Sequence, residues 1–381
     1  MLFVNVKTAD KDLQFGSKKC TFMMVSKMKL KEFHKTELFV DSWNLSHKPN
    51  DIFEEKYDGK VEMIQKNSLL YLGHMLSKDG SNMPNILHKK NKTISTQKQI
   101  TRLVEPLALY TFESAVVYIE SILRSSILYA SETMINIKEK EYRALERIEE
   151  SVLQKLFKTT RSCPRHILYL EAGVIPSRFQ VQRQALNFLQ YIVQQSPDSL
   201  LYKVYKSLEN HPTKSDWISG AKESLKLFNI QLTIESIREM KPSQFKNIVK
   251  VQAQKAAFQY LTDKQKQGKK GKLISYRKIE MADYLLPECA MSVQNKTDMF
   301  AFRCDMNALP NNFGKKDLCE LSCQDEMNNE HLLSCKVLNE GKPNNLELEQ
   351  LRNGNISDKI DVLKKLQDNS NKRIQYIKTN I

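Results

Sequence analysis

Cys319, Cys323, His331 and Cys335 fall in the pattern C-x3-C-x7-H-x3-C, late in a chain of 381 residues. Zinc takes four soft or borderline ligands in a tetrahedron, and two closely spaced pairs of ligands supply them. The spacing places Cys319 and Cys323 on a turn. The stretch from Asn328 to Val337 reads as a helix, so His331 and Cys335, four positions apart, share one of its faces. The alternative is a pair of core cysteines with an incidental histidine. Against it, Glu320, Gln324, Asp325, Glu326 and Asn328 make the segment too polar to build a core unaided. A structural zinc is therefore the expected cofactor. Cys20, Cys163, Cys289 and Cys304 stand alone, and small buried core residues are their expected role.

A second group of residues suits phosphate contact. Lys264, Lys266, Lys269, Lys270, Lys272, Arg277 and Lys278 occur without an intervening acid, around Gly268 and Gly271. The segment reads as an exposed loop leading into a short strand at residues 273–276, with Tyr260 or Tyr276 available to stack on a base. Lys89, Lys90, Lys92 and Lys98 form a comparable basic series on the helix that follows Pro84. In both places the competing reading is a solvated charged surface. The formal net charge of +15 and pI near 9.3 favour polyanions, RNA or DNA above all. No apolar run reaches membrane-spanning length and the start lacks a signal-peptide pattern, so the expectation is an intracellular protein, nuclear or cytoplasmic, with no membrane partner. Seven cysteines, an odd number in such a chain, argue against a disulfide framework.

No catalytic grouping accompanies these features. Two-metal polymerases and nucleases hold their ions with clustered carboxylates, and the sequence has no Asp-Asp pair; Asp10 and Asp12 lack an apolar strand to carry them. A serine nucleophile elbow, a phosphate-binding glycine loop and a His-Glu-x-x-His helix are also absent.

The elements that must position these residues are mainly helical, in keeping with few glycines and prolines and much Leu, Lys, Gln and Glu. Short strands are expected at residues 21–26 and 38–40. The run Leu69–Leu76, closed by Lys78-Asp79-Gly80, reads as a buried strand with a hairpin partner around residues 60–64. A basic helix follows, with Pro84 in its first turn and Ser81 or Asn82 as cap. Residues 107–130 read as a buried helix. From Lys138 to Lys158, Tyr142, Leu145, Ile148, Val152 and Leu156 recur every three or four residues, with Glu and Arg between them. Pro164 begins a short helix that Gly173 ends, and Ser177 caps the next, to Gln194. Helices punctuated by Pro212 and Pro242 cover residues 199–264. No internal repeat is visible.

Several strings, in order, resemble reverse transcriptases of LINE-type (non-LTR) retrotransposons. Leu13-Gln14-Phe15-Gly16 with Lys18-Lys19-Cys20-Thr21-Phe22-Met23 resembles the segment after the catalytic strand. Tyr71-Leu72-Gly73, Ser77-Lys78-Asp79-Gly80, Asn82 and Asn85-Ile86 resemble the hairpin and the start of the thumb. The family commonly has an Arg and a Lys in the helix that follows; here Lys89, Lys90 and Lys92 keep the charge without the Arg. Ser125–Glu132 is similar to part of the thumb helices, and His166–Arg178 to a leucine-rich turn before a long helix. Cys319, Cys323 and Glu330–Cys335 resemble the C-terminal zinc knuckle. The resemblance covers about residues 13–337. It implies a palm remnant with short strands and a hairpin (1–80), a thumb-like helical bundle (81–196) and a C-terminal region ending in a zinc-knuckle module (291–340); residue pattern and composition add a helical linker domain with the basic loop 264–278 (197–290) and a polar, partly disordered tail (341–381). The family's activity is RNA-directed DNA synthesis with magnesium, and its catalytic aspartates lie upstream of the first matching string. The expected protein is thus a truncated, catalytically silent member that retains RNA or DNA binding, with the missing polymerase portion as a possible partner. The alternatives are a helical protein-interaction scaffold or a non-functional relic of a mobile element. Without their palm, the first strands would leave an open sheet edge, and poor order is expected before about Asn82.

Overall fold

Few helix breakers interrupt the chain after Asn82, and the protein, seen here in a computed structural model, is mainly helical. The structure describes residues 21–22, 36–39, 60–65, 68–77, 79–104, 111–134, 137–213, 216–268, 270, 276–289 and 291–305, with isolated positions between 319 and 372. Two compact units are present, residues 1–91 and 92–381.

In the first unit, β3 (Lys60–Gln65) lies between β1 (Thr21–Phe22), which it pairs in parallel, and β2 (Thr36–Phe39), which it pairs antiparallel. A separate hairpin joins β4 (Ser68–Tyr71) to β5 (His74–Ser77). This corrects the expectation of one buried strand over 69–76. Leu72 and Gly73 both adopt positive φ, 46° and 80°, so the run folds back on itself through a two-residue turn of the kind hairpins prefer. Lys60–Gln65 is consequently not its partner. Leu70 and Leu72 are 51% and 74% exposed, so the hairpin is not buried either. The expected turn after Ser77 is present, with Gly80 at φ +71°. The expectation of poor order falls largely outside the described residues.

Helix α1 (Met83–Val104) starts as its sequence predicts, with Pro84 in the first turn and the Ser81 hydroxyl accepting from the Met83 N–H. Asn85 ties it to β5 by accepting from the Met75 N–H at 3.1 Å.

In the second unit, α2 (Phe112–Tyr118) passes through a π-helical turn (Ile119–Leu123) into α3 (Arg124–Ile127). One face is buried, but Val117 and Ile122 are exposed, so the helix is amphipathic where full burial was expected. α4 (Glu139–Leu156) buries Leu145, Ile148, Val152 and Leu156. α5 (Arg165–Ala172) ends on Gly173 in the left-handed conformation. α6 (Ser177–Val193) has Pro176 at its cap and Ser177 as its first residue, so Ser177 is not the cap. Proline's fixed φ sets the entry there.

α7 (Leu200–Asn210), α8 (Trp217–Leu227), α9 (Ile234–Glu239) and α10 (Pro242–Gln267) complete the main core. Phe179, Leu186, Leu189 and Val193 of α6 meet Tyr205, Ile218, Phe228, Ile237 and Phe245, so the core crosses residues 196 and 197, where the sequence suggested a division. α10 buries Phe245, Val249, Ala253, Ala257, Leu261 and Gln265, one residue in every four. The alanines let α6 and α10 approach closely.

Buried ion pairs tie α3 and α6 to α4, and a further one anchors α5. Glu149, fully buried, accepts from Arg124 Nε at 2.6 Å and from the Ser177 N–H at 3.2 Å. Glu146 takes Arg178, whose Nη2 donates at 2.9 Å. Glu171 takes Arg303 from α11 (Val293–Arg303) at 3.0 Å, together with the hydroxyls of Tyr276 and Tyr284. Glu146 and Glu149, which the sequence pattern places only between the apolar positions of α4, are therefore internal. Cys163, Cys289 and Cys304 are buried, as expected, and Cys20 lies outside the described residues. In the polar tail, residues 361–362, 364–365, 368–369 and 372 are helical, Val362 and Asn369 are buried, and Asn369 Nδ2 donates to the Leu332 carbonyl at 3.1 Å.

Candidate metal centre and basic surface

The Cys319 N–H donates to the Asp325 carbonyl at 2.8 Å, which holds these two positions side by side. His331 and Leu332 are helical, and Cys335 lies four positions beyond His331. All three potential ligands are buried: Cys319 is 5% exposed, His331 7% and Cys335 0%. Their ligand atoms lie within 4.8 Å of one another. The two sulfurs stand 4.0 Å apart and are not joined in a disulfide. Two sulfurs bound at about 2.3 Å to a tetrahedral zinc would stand roughly 3.8 Å apart, so little movement separates this arrangement from a ligand set. His331 Nδ1 lies 3.5 Å from an Asp325 carboxylate oxygen, on the side where metal-binding histidines usually carry an orienting carboxylate. Burial lowers the His331 pKa, with Asp325 acting in the opposite sense, so the ring is neutral near neutral pH, the form that binds metal. Three of the four residues read from the sequence thus converge on one point that could hold a metal ion, compatible with a structural zinc. Cys323 lies outside the described residues.

No protein-family model, curated protein or solved structure matches this chain. The site must therefore be read from its own chemistry.

The basic residues are distributed unevenly. Lys90, Lys92 and Lys98 are exposed on α1, whereas Lys89 is only 2% exposed and does not present its ammonium to solvent. α10 runs further than expected, so Lys264 and Lys266 project from its last turn and not from a loop. Both are exposed, as are Arg277 and Lys278, while Lys270 is half-buried. Lys278 pairs with Glu280 and Lys266 lies 3.8 Å from Asp263. Lys269 and Lys272 lie outside the described residues. Tyr276 corrects a sequence expectation: it is not in a strand, and its hydroxyl donates to buried Glu171, which commits the side chain to the interior. Tyr260 is likewise engaged, with Arg178 4.7 Å above its ring and Phe179 at its edge. Among the described residues, no helix is long and apolar enough to cross a membrane.

The buried partners Arg124, Glu146, Glu149, Glu171 and Arg303 were missed by sequence reasoning. One signal was available for Glu149, which stands four after Leu145 and three before Val152, on the apolar stripe itself. Arg124 gave none.

Proposed function

We propose that the chain binds RNA or DNA through its basic surface, with a zinc module near its C-terminal end, and does not itself polymerise nucleotides. The observation that carries this reading is the convergence of Cys319, His331 and Cys335 in a chain of net charge +15. Cys323, from the same turn, is proposed as the fourth ligand. The resemblance to LINE-type reverse transcriptases supplies a context: thumb-like helices gripping a template backbone and a zinc knuckle holding RNA or target DNA. Magnesium would belong to a complete polymerase of that family, since these residues supply no carboxylate cluster of the required kind.

Metal analysis of protein purified without chelators is expected to find one zinc per chain, and Cys335→Ser to lose it; metal-free wild-type protein would refute the module. Electrophoretic shift at low salt should retard RNA or DNA. Incorporation of nucleotides on a primed template with magnesium would sink the non-catalytic reading. A scaffold that binds proteins is the second reading, favoured by the exposed Leu70, Tyr71 and Leu72 of the hairpin. It would stand if no nucleic acid were shifted.

A further inference from the structure

A cleft of about 190 Å³ opens where α4, α5 and the last turns of α10 meet, and its lining includes none of the metal ligands. Glu150 and His166 line it, together with Arg143, Arg165, Tyr260 and Lys264. One oxygen of Glu150 takes Arg165 Nε at 3.2 Å. The other, Oε1, is buried without a hydrogen-bond partner among the described residues, and so is His166 Nε2. Buried polar atoms are nearly always paired, so two orphans lining one cavity mark a place for a polar occupant.

The cations around them define its charge. Arg143, Arg165 and Lys264 line the cleft, Arg143 also meeting the exposed Glu139 at 3.2 Å, while the cleft's second carboxylate, Glu146, is held by Arg178. A planar guanidinium matches phosphate oxygens and an ammonium adds a point charge. Burial holds His166 down to about 4, so its ring is neutral and Nε2 can donate or accept according to tautomer. Burial pushes Glu150 up to about 7, so its carboxyl is available in both protonation states. A phosphomonoester offers acceptor oxygens and, when singly protonated, a P–O–H donor, so it complements both orphans. A carboxylate has no donor and less charge. A base finds no open stacking platform, because Tyr260 is taken up by Arg178 and Phe179.

We propose that this cleft binds a terminal phosphomonoester, with His166 and Glu150 hydrogen-bonding its oxygens and Arg143, Arg165 and Lys264 neutralising its charge. The group could come from the 5′ end of a nucleic-acid strand or from a small phosphorylated molecule. Calorimetry with inorganic phosphate, on the full chain, is expected to show one saturable site. Lys264→Ala, an exposed position, should weaken it by about 10-fold with no change in melting temperature, and His166→Gln should weaken it by a similar factor. Should His166→Gln fail to fold, Lys264→Ala alone decides. A short 5′-phosphorylated oligonucleotide binding about 10-fold more tightly than its 5′-hydroxyl counterpart, with the difference lost in Lys264→Ala, assigns the strand end. Equal affinity of the two strands, with variant-sensitive phosphate binding, assigns a small phosphomonoester. No saturable phosphate binding, or binding that both folded variants leave intact, overturns the proposal. Affinity for the 5′-hydroxyl strand tests general nucleic-acid binding separately.

Discussion

Glu150 and His166 titrate against folding in opposite directions. Burial raises the Glu150 pKa from 4.5 to about 7, with Arg165 only partly opposing it. The folded state therefore binds more protons at this site, and its contribution to stability is full at low pH and lost as pH rises through about 7. Burial, reinforced by Lys264, lowers His166 from 6.5 to about 4. Its contribution is present above about 6.5 and is lost as pH falls toward about 4. Between those limits the two slopes oppose, and wild-type stability at these sites should vary little. His166→Gln is expected to leave a protein whose urea midpoint falls from pH 5 to pH 7, and Glu150→Gln one whose midpoint rises. Parallel midpoints for wild type and both variants across that range would falsify the assignment. None of this was legible in the sequence, because a glutamate between two amphipathic stripes has the same letters whether water or a neighbouring helix covers it. The metal ligands were legible for the opposite reason: coordination demands particular residue types at close spacing.

At the scale of elements, helix signals that act locally were readable and those that depend on neighbours were not. Pro84, Pro164 and Gly173 mark the helix boundaries they seemed to mark, since proline and glycine restrict or free their own backbone. Gly173 has a second reason to be glycine. A Cβ there would stand 2.2 Å from the Met281 backbone nitrogen, where Ala172 and Met281 form an isolated β-bridge. Gly173→Ala is thus expected to destabilise by about 3 kcal/mol, from left-handed strain plus a backbone clash, measurable by urea denaturation. An unchanged midpoint would show that the bridge yields freely. The hairpin turn at Leu72-Gly73 could not be read from the apolar run itself, because leucine rarely adopts positive φ, although the resemblance put Tyr71-Leu72-Gly73 in a hairpin. The π-helical turn before Arg124 had no signature either. Arg124→Met should cost about 3–5 kcal/mol by leaving Glu149 buried and unpaired, and Arg124→Met with Glu149→Leu should recover much of that loss. Additive losses in the double variant would mean the pair is not coupled.

For the whole molecule, charge sets the expectation. Each phosphate neutralised on a single strand contributes a slope of about −0.7 to the dependence of log affinity on log salt. Lys92→Ala with Lys98→Ala should therefore reduce the measured slope by about 1–2 if α1 tracks a backbone. An unchanged slope would direct attention to Lys264, Lys266, Arg277 and Lys278. The composition points to polyanions but not to where they would bind, because surface lysines carry no periodic signature of contact. The buried line of α10 has a consequence of its own. Four residues turn an α-helix by about 400°, so each step from Phe245 to Gln265 drifts roughly 40° around the axis, and five steps carry it about 200°. One rigid rod therefore presents its first turns to the α6 and α9 core and turns its far end toward the cleft beside His166. Ala253 and Ala257 sit midway like a pivot, and a bulkier side chain there would be registered at both ends at once.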